Sequence, residues 1–290
     1  MKKMLSAVIM PVFVLCVFTA YAGHGDVKPV KKGILLVGFG TSDESAKRSF
    51  VNMEKKAALA FPGVPIEWAF TSHIIRHKLA KQGEVLLSPA QALAKMMNEG
   101  FTHVAVQSLH TIPGEEYHTL VQTVEGFKAM PDGFERLIPG YPLLWGQDTV
   151  SDAVNAILAT LPRDRKSNEA VVLMGHGTHH PANIYYSALN WQIQLKDRNI
   201  ILGTVEGYPG LNEVTAFLDN GNFKKVWLVP FMSVAGDHAK NDMAGTTDDS
   251  WKSRIEKKGF KCEAVFKGTA EYDVFADIWV GQLKTAFAQL

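Results

Sequence analysis

"VVLMGHGT", residues 171–178, runs four apolar residues straight into a glycine-bounded turn, and "ILLVGFGT", residues 34–41, repeats it with Phe39 where the later copy has His176. A short unbroken apolar run that ends at Gly-x-Gly is the pattern of a strand buried on both faces and leading into a tight turn. A second pair follows in the same order. "THVAVQSLHTIPGEE" (102–116) matches "KKVWLVPFMSVAGDH" (224–238), with Glu116 standing where His238 stands. Between these, "EWAFTSH" (67–73) loosely parallels "ILGTVEG" (201–207). One match between strand-to-helix turns arises easily by chance, but matches in one order argue for an internal duplication.

Strand-like runs are expected at 33–38, 64–71, 102–107, 169–174, 200–205, 224–230 and 261–266, with helical periodicity between them at 43–60, 91–98, 182–195 and 211–220. In the 182–195 segment the period places Ile184, Ala188, Trp191 and Leu195 on one face. Strands that alternate with helices and are apolar throughout imply parallel sheets covered on both sides. The expected fold class is therefore α/β, with two similar domains, each a parallel β-sheet flanked by helices. The repeat divides the chain into an N-terminal domain over 33–145 and a C-terminal domain over 146–290.

Two further segments precede the first domain. Residues 1–22 combine Lys2 and Lys3, an apolar run and the small-x-small end "AYA", the pattern of a secretory signal peptide cleaved after Ala22. Pro11 and the shortness of the run argue against a membrane anchor. Residues 23–32 form a polar lead. The expectation is an exported, periplasmic protein with no membrane attachment after cleavage. The formal charge of the whole chain is +1, and removing Lys2 and Lys3 leaves −1, so no basic field suggests nucleic acid. Of the two cysteines, Cys16 leaves with the signal. Cys262 then has no internal partner, and it reads as a small core residue in a strand-like run. With 47% apolar residues, the core must hold the fold without disulfides.

In open parallel sheets, ligands bind beyond the carboxyl ends of the strands, where strand order reverses. His176, Glu206 and His238 each fall just past such an end. Two imidazoles and a carboxylate form a first-shell set for a divalent transition metal and leave positions open for water or substrate. The first half has Phe39 and Glu116 where the second has histidines, so the site is expected to be single and to belong to the second half. Other motifs are weak or missing. The two Gly-x-Gly turns lack the third glycine of a dinucleotide fingerprint, and no Walker, HExxH or GxSxG sequence occurs. His179 and His180 read as supporting or surface residues at the start of the next helix, with Pro181 at its first position.

The set "LLVGFGTS", "MGHGTHHPANIYY", "GTVEGYP" and "PFMSVAGDHAKNDMAG" followed by "DSWK" resembles the anaerobic-type sirohydrochlorin cobaltochelatases, class II chelatases related to ferrochelatases. The resemblance runs from about Lys32 to the C-terminus, and "VAGDHAKNDMAG" with "DSWK" is its most specific part. It implies a chelatase-like fold with a tetrapyrrole cleft between the two domains. It also implies insertion of Co2+, with Fe2+ as a second ion, into sirohydrochlorin without ATP, in cobalamin-type tetrapyrrole biosynthesis. The family's motif histidines fall on His176 and His238 and its motif glutamate on Glu206, so resemblance and strand-end reading select the same three residues. On this reading the histidines bind the incoming ion and one also takes a pyrrole proton, while Glu206 completes the site or orients a histidine.

A flat ring with a carboxylate rim needs apolar walls and hydrogen-bond donors. Phe39, Tyr185 and Met232 are candidates for the ring, and Thr41, Ser42, Thr178 and Ser233 for the polar rim. Export motivates a different expectation, a haem-binding or metal-handling protein on the same fold. His73, His77, His103, His110 and His118 are spare histidines for an axial ligand, His118 foremost. An assembly of identical chains is left open.

Overall fold

The computed structural model describes residues 29–290. The expected signal peptide at 1–22 and residues 23–28 of the polar lead lie outside them. In chain order the regular elements begin with β1 (Lys32–Gly38), α1 (Arg48–Ala60), β2 (Ile66–Phe70), α2 (His73–Ala80), α3 (Pro89–Asn98), β3 (His103–Ser108), α4 (Glu115–Lys128) and β4 (Arg136–Gly140). They continue with α5 (Gln147–Ala159), β5 (Glu169–Gly175), α6 (Ile184–Lys196), β6 (Ile200–Thr204), α7 (Leu211–Asp219), β7 (Lys225–Pro230), α8 (Trp251–Glu256), β8 (Lys261–Ala264) and α9 (Asp273–Phe287). Short 3-10 turns at Glu44–Lys47, Pro181–Asn183 and Thr269–Glu271 and a π-helical turn at Ala239–Met243 complete the chain.

Two four-stranded parallel sheets result, ordered β2-β1-β3-β4 and β6-β5-β7-β8. The identical order is the structural form of the repeat. In each sheet the strand order reverses beside the first strand of the half, β1 or β5, which puts a crevice at its carboxyl end.

The strands are apolar throughout because both faces are covered. Ile34 and Leu36 of β1 face a central core, while Leu35 and Val37 face α3 and α4. In the second half Val171 and Leu173 join the same central core, while Ala170, Val172 and Met174 face an outer core containing Val214, Met243 and Trp251. The central core thus takes one face of each sheet, together with α5, α6 and α9. The C-terminal helix crosses back: α9 packs on β3, β4 and α1 of the first half, and Lys56 of α1 pairs with Asp277 of α9 at 2.7 Å. The last helix of the second half is therefore a wall of the first sheet. Among the described residues no helix is long and apolar enough to cross a membrane.

Two expectations change. The segment 136–140, "RLIPG", is a strand that apolar patterning misses; it is a sheet edge, where Pro139 is tolerated because no inner ladder needs its missing N–H. In α6 the expected apolar face is turned outward. Ile184, Trp191 and Leu195 are 65%, 66% and 67% exposed, and Tyr186, Leu189 and Ile193 are buried instead. The helix is apolar on both sides, so periodicity alone does not choose between them. Packing chooses, since the Tyr186 ring closes on Gly175, where a Cβ would stand 2.8 Å from it.

Trp279 of α9 is fully buried in the central core. Trp279→Ala is expected to lower stability by about 3–5 kcal/mol. Because the core is shared, both halves should still unfold together in urea, read by amide exchange in β1 and β5. Two separated transitions would contradict a common core.

Candidate active site

The site is built on loops that prolong the second sheet beyond its strands. Past β5 and β6 the parallel ladder continues: Val205 N–H donates to the Gly175 carbonyl at 3.1 Å, and Glu206 N–H to the His176 carbonyl at 2.9 Å. On the other side Phe231 N–H donates to Met174 at 2.7 Å. Gly177 makes the turn at φ +80°, where any Cβ would also lie 2.7 Å from the Gly207 nitrogen and from Thr204. The glycine after His176 is thus required twice, by conformation and by close approach. Asn183 ties this turn to the Glu206 loop, accepting from Thr178 N–H at 3.1 Å and donating to the Tyr208 carbonyl at 2.7 Å.

His176 and His238 meet edge to face, with ring centroids 4.7 Å apart. His176 Nδ1 lies 2.8 Å from the Gly177 carbonyl, and His238 Nδ1 lies 2.5 Å from Asp242 Oδ2. Both acceptors demand a proton on Nδ1, so the neutral rings keep Nε2 as a free lone pair. Glu206 is half-exposed, its Oε2 4.0 Å from His176 Nδ1. Among the described residues no three His, Cys, Asp or Glu side chains already converge as a closed metal cage. The arrangement is an open imidazole pair with a carboxylate alongside.

All three line a cavity of about 580 Å³ between the two halves, within the size range of small-molecule and cofactor sites. Phe39, Thr41, Thr178, Met232 and Ser233 line it too. Two candidates do not. Ser42 lies outside the lining and is held by Lys78 Nζ at 2.8 Å, while Tyr185 turns away and donates to the Trp145 carbonyl at 2.6 Å. Its neighbour Tyr186 takes the place in the wall, because α6 presents the face opposite to the expected one.

The first half contributes Glu116, which is not among the expected site residues, and His110, which is expected only as a spare histidine. Both could have been found from the repeat, since Glu116 stands at the position of His238 and His110 at that of Met232. His110 Nδ1 pairs with Ser108 Oγ at 2.8 Å and Nε2 with Thr71 Oγ1 at 3.1 Å. Burial pushes its pKa down to about 4, with nearby Glu116 acting in the opposite direction, so the ring is neutral near pH 7. Of the spare histidines, His118 is exposed and stands edge to face with His180 at 4.7 Å. His180 Nδ1 accepts the Ala182 N–H at 3.1 Å and so caps the 3-10 turn at Pro181. His73 and His77 lie on α2 outside the cavity, and His103 is buried in β3.

The two halves are latched beside the site. Lys240 pairs with Asp43, whose carboxyl it holds below the usual range, and Gly236 approaches Thr41 so closely that a Cβ would stand 3.0 Å from its hydroxyl.

Residues 32–288 match the cobalt chelatase (CbiK) family. The chain belongs to that family. It is 46% identical over 260 residues to the sirohydrochlorin cobaltochelatase CbiKC of Nitratidesulfovibrio vulgaris, covering 90% of this chain and 92% of the relative. It is 34% identical to the sirohydrochlorin cobaltochelatase of Salmonella typhimurium, covering 89% of this chain and 97% of that one. Among solved structures it resembles SirB from Bacillus subtilis with Fe3+, at a TM-score of 0.58 and 15% identity over 90% of this chain and 97% of that one. This last likeness carries the fold alone. The two-sheet architecture expected from the repeat, and the chelatase-like fold that the resemblance implies, match this solved chelatase.

His110 yields a pH dependence. Its folded pKa, about 4, lies below the ordinary 6.5, so its contribution to stability is complete above pH 6.5 and is lost as pH falls through about 4. The thermal midpoint should drop across this window, and less steeply in His110→Gln. A variant as acid-sensitive there as the parent would exclude His110 as a source.

Proposed function

We propose that the protein inserts Co2+ into sirohydrochlorin without ATP, holding the ion on the second half and the macrocycle in the cleft between the halves. The observation that carries this reading is the His176–His238 pair, two Nδ1-anchored imidazoles at one wall of the cavity, in a chain of the cobalt chelatase family. The two relatives described above are named sirohydrochlorin cobaltochelatases. Freedom from ATP is what the resemblance to the anaerobic-type chelatases implies.

His176 and His238 bind the incoming ion through Nε2. Neutral nitrogen ligands suit Co2+ and leave exchangeable positions for the pyrrole nitrogens. Glu206, half-exposed on its loop, turns from beside His176 to complete the site. Insertion forms bonds from the metal to the ring nitrogens and releases two pyrrole protons. Those protons pass to the side chains that give up the metal, an imidazole first, then to solvent. His110 presents a neutral ring on the opposite wall beside Glu116, and Phe39 and Met232 flank the macrocycle. Fe2+ fits the same ligand set as a second ion. The leader at 1–22 supports action outside the cytoplasm after cleavage, and the chain division at 33–145 and 146–290 supports one domain for each wall of the cleft. The haem-handling alternative has less behind it, since the relatives are named as chelatases and His118 stands clear of the cavity lining.

The test is insertion of Co2+ and Fe2+ into sirohydrochlorin by the purified chain, followed by the change in the macrocycle absorption spectrum. His176→Ala and His238→Ala should each lower the rate by at least about 100-fold, in the range of lost acid–base groups, with the thermal midpoint unchanged. Near-parental rates in both variants would sink the assignment.

A further inference from the structure

His238 is oriented by a device that the other half of the molecule lacks. It begins the π-helical turn Ala239–Met243, and four residues later Asp242 accepts its Nδ1–H at 2.5 Å. A carboxylate only accepts, so this contact fixes the proton on Nδ1 and leaves Nε2 for a ligand. His176 reaches the same tautomer through the carbonyl of its own neighbour, Gly177. His238 has no such neighbour and depends on a side chain.

The turn is anchored at both ends. Ala239 and Met243 are fully buried in the outer core of the second half, and Lys240 between them reaches Asp43 of the first half. Gly245 closes the turn, its N–H donating to the Asn241 carbonyl at 2.9 Å, where a Cβ would lie 2.3 Å from that oxygen. Backbone and carboxylate are therefore both held, and a π turn at such a place is a frequent mark of a functional site.

The duplication supplies an internal control. Carrying the repeat four residues beyond Glu116 and His238 pairs Leu120 with Asp242. In the first half this stretch is ordinary α-helix, and Leu120 is buried in an apolar cluster. The carboxylate occurs only in the half where there is an imidazole to orient.

We propose that Asp242 is a positioning residue that holds His238 in the Nδ1–H tautomer with Nε2 turned to the incoming metal. The proposal rests on the reading of His238 as a metal ligand. Two measurements on the full chain test it, with Co2+ alone as the probe. Nitrogen-15 NMR at a pH where His238 is neutral should show the Nδ1–H form in the parent and in Asp242→Asn, which keeps an acceptor oxygen, and lose it in Asp242→Leu. Co2+ affinity, measured by competition with a chelator, should fall 10- to 100-fold in Asp242→Leu and less in Asp242→Asn. Sirohydrochlorin binding in the absence of metal should not change. If the leucine variant does not fold, Asp242→Ala removes the same acceptor and serves both readouts. Parental tautomer and affinity in these variants, with Co2+ binding lost in His238→Ala, would overturn the positioning role alone. Parental affinity in His238→Ala would overturn the ligand reading beneath it.

Discussion

The site depends on a hydrogen-bond ladder that does not stop where the strands stop. Because Gly175 and His176 accept from Val205 and Glu206, and Met174 from Phe231, the three loops leave the second sheet in fixed register. Without that continuation, His176, Glu206 and His238 would be polar residues on separate loops spread over some 60 positions of sequence. With it, the backbones of His176 and Glu206 are fixed against each other, while His238, beyond the last ladder bond, is held by the π-helical turn that it begins. Only the side chains keep freedom, and the two histidines lose even that through their Nδ1 contacts.

The shared core gives this local order its wider meaning. One face of each sheet, α5, α6 and α9 form a single apolar body. α9 leaves the second half to cover the first sheet. The halves are thus not free to slide, and the cavity between their carboxyl ends has defined walls. One wall carries the paired imidazoles. The opposite wall carries Phe39, Glu116 and the uncharged His110. A duplicated fold would place equal chemistry on both sides. Here divergence at a few equivalent positions has left the paired imidazoles on one wall, with Phe39 and Glu116 at the equivalent places on the other.

Much of this was legible in the sequence because it follows from strand ends. The repeat, the parallel strands and the three residues past β5, β6 and β7 all come from apolar runs that stop at polar turns. What periodicity cannot read is choice between equals. In α6 both faces are apolar, so only the contact of Tyr186 with Gly175 decides which is buried, and the expected Tyr185 is displaced by its neighbour. β4 escapes because an edge strand with a proline has little pattern. His110 is visible only as a spare histidine; its neutral state comes from burial, beside two hydroxyls brought from β3 and the end of β2, a tertiary fact with no local signal. The Asp242 contact is visible as a four-residue spacing only once His238 is known to begin a helical turn.

The most direct measurement is where cobalt binds. Crystals grown with Co2+ and no macrocycle, with anomalous scattering collected at the cobalt edge, should show the principal peak within bonding distance of His176 Nε2 and His238 Nε2, with Glu206 turned toward it. A principal peak in the first half, at Glu116 or His118, with none between His176 and His238, would contradict the account.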